Sequence, residues 1–164
     1  MTDTIKIKGC VVEDFVNYKH PSMYIGIGGC DFKCCKEANI DISICQNSTL
    51  AQQKELDISL KMLYNTYINN DITKAIVVGG LEPMTRFDDV IELIGYFRAN
   101  NCQDTFVIYT GYYPYEIKDK LAKISIYPNI IVKFGRFIPN HNPHYDEVLG
   151  VNLISDNQYA EVIS

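Results

Sequence analysis

Three apolar runs in this chain end in glycine, and that repeat constrains the fold more than any other feature. Ser22–Ile27 (SMYIGI) runs into Gly28 and Gly29, residues 74–78 (KAIVV) run into Gly79 and Gly80, and residues 105–110 (TFVIYT) run into Gly111. Short runs rich in Val, Ile and aromatic residues, closed by glycine, read as strands. The stretches between them carry helical spacing instead. Leu60, Leu63, Tyr64, Tyr67 and Ile68 share one face of a predicted helix over 58–69, with Asp57 or Ser59 as its cap. Val90, Leu93, Ile94 and Phe97 form the next apolar face, after Thr85 as a cap. Ile117, Leu121 and Ile124 form a third, after Pro114 in the first turn. Residues 5–12, 129–133 and 159–163 read as further strands.

Strands alternating with helices imply βαβ units and a parallel sheet, with the functional site at the C-terminal ends of the strands. A length of 164 residues, without a repeat or a linker, gives one domain over 1–164. An eight-fold barrel needs roughly 250 residues. The expected fold class is therefore α/β, a partial (open) βα barrel with a mostly parallel sheet.

The net charge of −5 argues against nucleic acid as a partner, because phosphate backbones call for a basic face. No apolar run reaches the length of about 18 that spans a bilayer, so no membrane segment is expected. The N-terminus, MTDTIKIKGCVVEDF, lacks a basic start followed by an apolar stretch, so no secretory signal is expected and the predicted location is cytoplasmic.

In a reducing compartment, clustered cysteines serve metals or redox chemistry more often than disulfides. Of the six cysteines, Cys10 and Cys102 stand apart, whereas Cys30, Cys34, Cys35 and Cys45 fall within sixteen residues. Thiolates are soft anionic ligands suited to iron–sulfur clusters. Cys30 and Cys34, with three residues between them, suit two corners of a [4Fe-4S] cluster, and the third ligand is Cys35 or Cys45. Adjacent residues rarely reach two corners of one cluster, which favours Cys30, Cys34 and Cys45 and leaves one iron open to a ligand. The competing readings are a structural zinc site, which wants four ligands, and buried free thiols.

Two glycines in Gly79-Gly80-Leu81-Glu82-Pro83 would let a ligand approach the backbone, although a plain turn before a helix has the same look. Thr110-Gly111-Tyr112 closes another strand. Arg136, in Phe134-Gly135-Arg136-Phe137, either meets a carboxylate or sits in a solvated turn. His141 and His144 lie in a loop rich in Asn and Pro and read as surface residues. There is no nucleophile elbow, phosphate-binding P-loop or HExxH.

Taken in order, the cysteine loop ending in Cys45-Gln46-Asn47, the Gly79–Pro83 turn, TFVIYTGY and the tail IIVKFGRFI…NLISDNQ resemble the radical S-adenosylmethionine superfamily. Within it they are most similar to the activating proteins of anaerobic ribonucleoside-triphosphate reductase. The resemblance spans nearly the whole chain and implies a single radical S-adenosylmethionine domain. It also implies an oxidoreductase in which a [4Fe-4S] cluster on Cys30, Cys34 and Cys45 cleaves S-adenosylmethionine reductively. Gly79, Gly80 and Glu82 would then receive the methionyl ammonium, Thr110 and Tyr112 would lie along the adenosine, and Phe32 and Ile44 would shield the cluster. The implied partners are the catalytic subunit of anaerobic ribonucleotide reductase, or another glycyl-radical protein, and a flavodoxin-like electron donor. Two features depart from the family pattern. Ten residues separate Cys34 from Cys45 where the family has two, and Leu81 interrupts its Gly-Gly-Glu-Pro turn. The alternatives are the same radical chemistry on a small molecule, and a non-catalytic metal-binding interaction module.

Overall fold

Strands β1 (Thr4–Asp14) and β2 (Ser22–Ile27) are joined only by residues 15–21, too few for a crossover, so they pair antiparallel. The chain, a computed structural model that describes residues 2–45 and 48–164, then leaves the sheet through α1 (Lys33–Ala38) and α2 (Ser48–Gln52). It returns as β3 (Leu56–Ser59), antiparallel to the other edge of β1. Helix α3 (Leu60–Ile68) leads to β4 (Ala75–Gly80), α4 (Phe87–Ala99) to β5 (Thr105–Tyr109), and α5 (Lys118–Ile124) to β6 (Ile130–Phe134). These helical crossovers make β2, β4, β5 and β6 parallel neighbours. A small hairpin, β7 (His144–Asp146) with β8 (Val151–Leu153), precedes β9 (Tyr159–Val162), which pairs antiparallel with β6.

The result is a seven-stranded sheet in the order β3-β1-β2-β4-β5-β6-β9. This corrects the expected partial barrel with a mostly parallel sheet. Half of its six pairings are antiparallel, because the short β1–β2 connection and the returns of β3 and β9 reverse the chain without a crossover helix. The fold is a mixed α/β sheet with few helices.

The two sheet faces are covered differently. Side chains alternate along each strand. Met23, Ile25, Ile76, Val78, Phe106, Ile108, Ile130 and Val132 face α3, α4 and α5 in the main core. Phe97 of α4 meets Phe106 and Tyr64 edge-to-face, at 5.4 and 5.3 Å between ring centroids. Such pairs add about 0.5–1.5 kcal/mol beyond their buried area. On the other face, Val77, Val107 and Ile131 pack under Tyr18, Leu149 and Leu153, so a loop and the β7–β8 hairpin cover it instead of helices.

The predicted helix over 58–69 begins later, at Leu60, because residues 56–59 are drawn into β3 against β1, and Ser59 then caps α3 by accepting from the Met62 N–H. Ile68, expected on its inner face, is 49% exposed. Thr85 does not cap α4. Its hydroxyl donates to the Glu82 carbonyl inside a 3₁₀ turn, Pro83–Arg86. Pro114 opens a short 3₁₀ turn, Pro114–Glu116, ahead of α5, on which Ile124 is buried. Among the described residues no helix is long and apolar enough to cross a membrane.

Candidate metal centre and ligand cleft

The cysteine loop begins where β2 ends. Gly29, at φ +82, and Phe32, at φ 53, both take left-handed backbone, and these two bends turn the chain into α1. Asp31 accepts from the Lys33 N–H at 3.1 Å, and the Cys30 sulfur accepts from the Phe32 N–H at 3.2 Å. Cys34 and Cys35 ride on α1, with their sulfurs 4.0 Å apart. After Asn39, also left-handed, Asp41 caps a 3₁₀ turn over Ile42–Ile44 that delivers Cys45. The Cys45 thiol interacts with that of Cys35.

Two backbone bonds lay the Gly79–Pro83 turn against this loop. The Leu81 N–H donates to Ile27 O at 3.1 Å and the Glu82 N–H to Gly29 O at 2.9 Å. Glu82, only 5% exposed, turns its carboxylate toward the end of β5. Its Oε1 accepts from the Met84 N–H at 3.0 Å and the Thr110 hydroxyl at 2.7 Å, and its Oε2 from the Gly111 N–H at 2.8 Å. Burial raises its pKa, and those three donors work in the other direction. Thr110 accepts in turn from the Tyr112 N–H, and the Tyr112 hydroxyl donates to Asp31. One chain of hydrogen bonds thus links the ends of β4 and β5 to the cysteine loop.

These elements enclose a cleft of about 400 Å³. Of the residues singled out from the sequence, Cys30, Cys34, Cys45, Gly80, Glu82, Thr110 and Tyr112 line it, and so do Cys35 and Arg136. Gly79 is not among the lining residues, because the phenol of Tyr24 lies over it. A Cβ on Gly79 would fall 2.8 Å from the Tyr24 hydroxyl. Gly80, at φ +92, runs so close to Gly26 that a Cβ would fall 2.8 Å from its Cα. Both glycines therefore serve packing inside the protein. Gln46 and Asn47, part of the cysteine-loop motif, lie outside the described residues, as does the side chain of Ile44. Phe32 is half-buried and does not line the cleft.

Arg136 is not a free cation. It pairs with Glu37 at 2.6 Å and with Glu116 at 2.7 Å, and Glu116 also binds Lys33. His141 and His144 are used separately, one beside Asp156 and the other beside the Gln158 carbonyl. Lys133, Asp31 and Glu116 join this site without being candidate residues of any motif of the sequence. Only Lys133 carried a visible signal, a charge inside an otherwise apolar strand.

Burial pushes the Cys30 and Cys35 thiols up to about 12 and also raises Cys34. A cationic metal group is what turns such thiols into thiolates, since ligation requires their ionised form. Among the described residues no three His, Cys, Asp or Glu side chains converge on a single ion. Thiols spread along the wall of one cleft instead suit a cluster, whose thiolate ligands each bind a different iron and need not converge.

A thiol-lined cleft at the C-terminal ends of parallel strands suits an iron–sulfur type of protein. The chain belongs to the 4Fe-4S single cluster domain family, whose model matches residues 21–155. It is therefore a metal-binding iron–sulfur protein, consistent with a radical S-adenosylmethionine-like family. No curated protein matches the chain.

Proposed function

We propose that this protein is a radical enzyme that cleaves S-adenosylmethionine reductively to methionine and a 5′-deoxyadenosyl radical. That radical takes a hydrogen atom from a glycine of anaerobic ribonucleoside-triphosphate reductase or another glycyl-radical protein. A flavodoxin-like protein is the proposed electron source. The observation that carries this reading is the single cleft shared by the cysteine loop, the Gly80–Glu82 turn and the Thr110–Tyr112 strand end.

Cys30, Cys34 and Cys45 are the proposed ligands of the cluster, which supplies one electron and an open iron when bound. The chain's own residues bind and orient. The Glu82 carboxylate, fixed by three donors, gives the turn one geometry and would supply the negative charge that a methionyl ammonium calls for. Thr110 fixes the strand end by bonding to both Glu82 and the Tyr112 backbone. Tyr112, tied to Asp31, closes the cleft beside Cys30 and helps exclude water.

The test is anaerobic reconstitution with iron and sulfide, addition of dithionite and S-adenosylmethionine, and quantification of 5′-deoxyadenosine. Product from the wild type that disappears in Cys45→Ala is the expected result. A fully iron-loaded protein that makes no product would sink the reading.

A further inference from the structure

Lys133 is an ammonium placed where the sheet is otherwise apolar. It lies in β6 (IIVKF), a strand whose five residues are all buried, and is itself only 7% exposed. Strand alternation sets it on the face covered by the β7–β8 hairpin, paired in register with Tyr109 on one side and Ala160 on the other. Its ammonium sits 5.8 Å from the centre of the Tyr109 ring.

An ammonium has three N–H donors. Among the described residues one is engaged, by the Gly135 carbonyl at 3.0 Å. No described carboxylate is in ion-pair contact with Lys133. The negative charge that most affects it is Glu82, but both oxygens of that carboxylate already accept from Met84, Thr110 and Gly111. The other cations on the cleft wall are matched, Arg136 by Glu37 and Glu116, and Lys33 by Glu116. A buried ammonium without a paired anion is unfavourable. Lys133 lines the cleft, so its two remaining donors are open to whatever fills that space.

The surroundings hold this amine in place. The Gly135 carbonyl also accepts from the Gln158 side-chain amide at 3.3 Å, and the Gln158 Oε1 is occupied by the Ser155 N–H. Gln158 lines the same cleft and so presents donor and not acceptor capacity beside Lys133.

We propose that Lys133, with Gln158 beside it, forms an anion-binding subsite of the cleft that takes a carboxylate or phosphate group of a bound small molecule. The proposal rests on reading the cleft as a ligand site and adds to it the residue that recognises the ligand's negative end. A charge-assisted contact of this kind changes affinity by about tenfold or more.

The experiment is equilibrium binding by calorimetry to the reconstituted protein and its Lys133→Met variant, with three probes: S-adenosylmethionine, its decarboxylated analogue, and inorganic phosphate. Methionine matches the lysine in length and removes a buried charge, so the fold is retained. Iron content and a thermal melt verify this, with Lys133→Gln as a second variant. A wild type that prefers S-adenosylmethionine over the decarboxylated analogue by about tenfold, a preference lost in Lys133→Met, supports the subsite and assigns it to the cofactor's carboxylate. Equal wild-type affinity for those two, with phosphate binding lost in Lys133→Met, supports it and assigns it to a phosphate-bearing ligand. Phosphate bound through Lys133 by a protein that binds neither sulfonium overturns the radical reading and leaves the subsite standing. If no probe binds the wild type, or if wild type and variant bind all three equally, the subsite is overturned.

Discussion

Arg136 and Glu116 meet as a two-pronged pair, Nη1 to Oε2 at 2.7 Å and Nη2 to Oε1 at 3.3 Å. Around this fork the cysteine helix is fastened to the β5–β6 side of the sheet, because Glu116 also binds Lys33 of α1 and Arg136 also binds Glu37 of α1. The placement of Cys34 and Cys35 thus depends on charges far away in sequence.

Acid should loosen this fastening in a defined window. Burial works against the Glu116 charge, but Arg136, Lys33 and the Tyr113 N–H outweigh it and hold the carboxyl at about 2. A depressed folded-state pKa gives stability that is complete above the unfolded value near 4.5 and is lost as pH falls through about 2. Glu116→Gln is expected to lose about 2–3 kcal/mol at pH 7 and to flatten the decline between pH 5 and 2. Urea unfolding at pH 7, 4 and 3 measures both, and an unchanged pH slope in the variant would count against the clamp.

Glu82→Gln tests the hydrogen-bond chain beneath the cleft. The carboxylate faces backbone donors at both oxygens, Met84 N–H at Oε1 and Gly111 N–H at Oε2. Whichever way a glutamine amide is turned, its NH₂ opposes one of those N–H groups. The expected loss is about 1–3 kcal/mol, the usual penalty for a buried unsatisfied group. A urea midpoint equal to that of the wild type would show that the carboxylate is not the tie between the β4 and β5 ends.

Much of this architecture could be read from local pattern. The strands at 22–27, 74–78, 105–110 and 129–133 and the α4 face of Val90, Leu93, Ile94 and Phe97 follow from periodicity, which reports burial directly. What periodicity does not report is strand direction or order. Whether residues 56–59 begin a helix or pair with β1 is decided by the unpaired edge that β1 offers, a long-range fact. The site was legible where chemistry clusters in sequence, as with the four cysteines. It was not legible where the partners are distant. Glu37 and Asp31 look like ordinary surface residues until the fold brings them to Arg136 and Tyr112. Gly79 and Gly80 were visible as a pair, but their separate reasons were not, since these lie in Tyr24 and Gly26.

Those separate reasons predict unequal substitutions. Gly80→Ala would strain a φ of +92 and press a methyl against the Gly26 backbone, which cannot yield. A loss of about 2 kcal/mol or more is expected. Gly79→Ala meets only the tip of Tyr24, which can swing aside, so a loss of about 1 kcal/mol or less is expected, relieved in the double variant with Tyr24→Phe. Equal urea midpoints for the two single variants would contradict this account of the turn.

The cysteines can be sorted by iron retention. Cys35 is only 2% exposed and sits beside Cys34 on one helical turn, whereas Cys30, Cys34 and Cys45 come from three separate local structures: the end of β2, α1 and the 3₁₀ turn. Ligands on separate segments can reach separate irons, while adjacent residues on a short helix compete for one. Cys30→Ala, Cys34→Ala and Cys45→Ala are therefore each expected to lose most of the bound iron after anaerobic reconstitution. Cys35→Ala is expected to keep iron, sulfide and visible absorption near wild type, while losing about 1 kcal/mol of stability from the small cavity it leaves. Should Cys35→Ala lose iron as fully as Cys34→Ala while Cys45→Ala retains it, Cys35 replaces Cys45 in the ligand set. The thiol contact between Cys35 and Cys45 would then be the route by which the longer loop packs over the cluster.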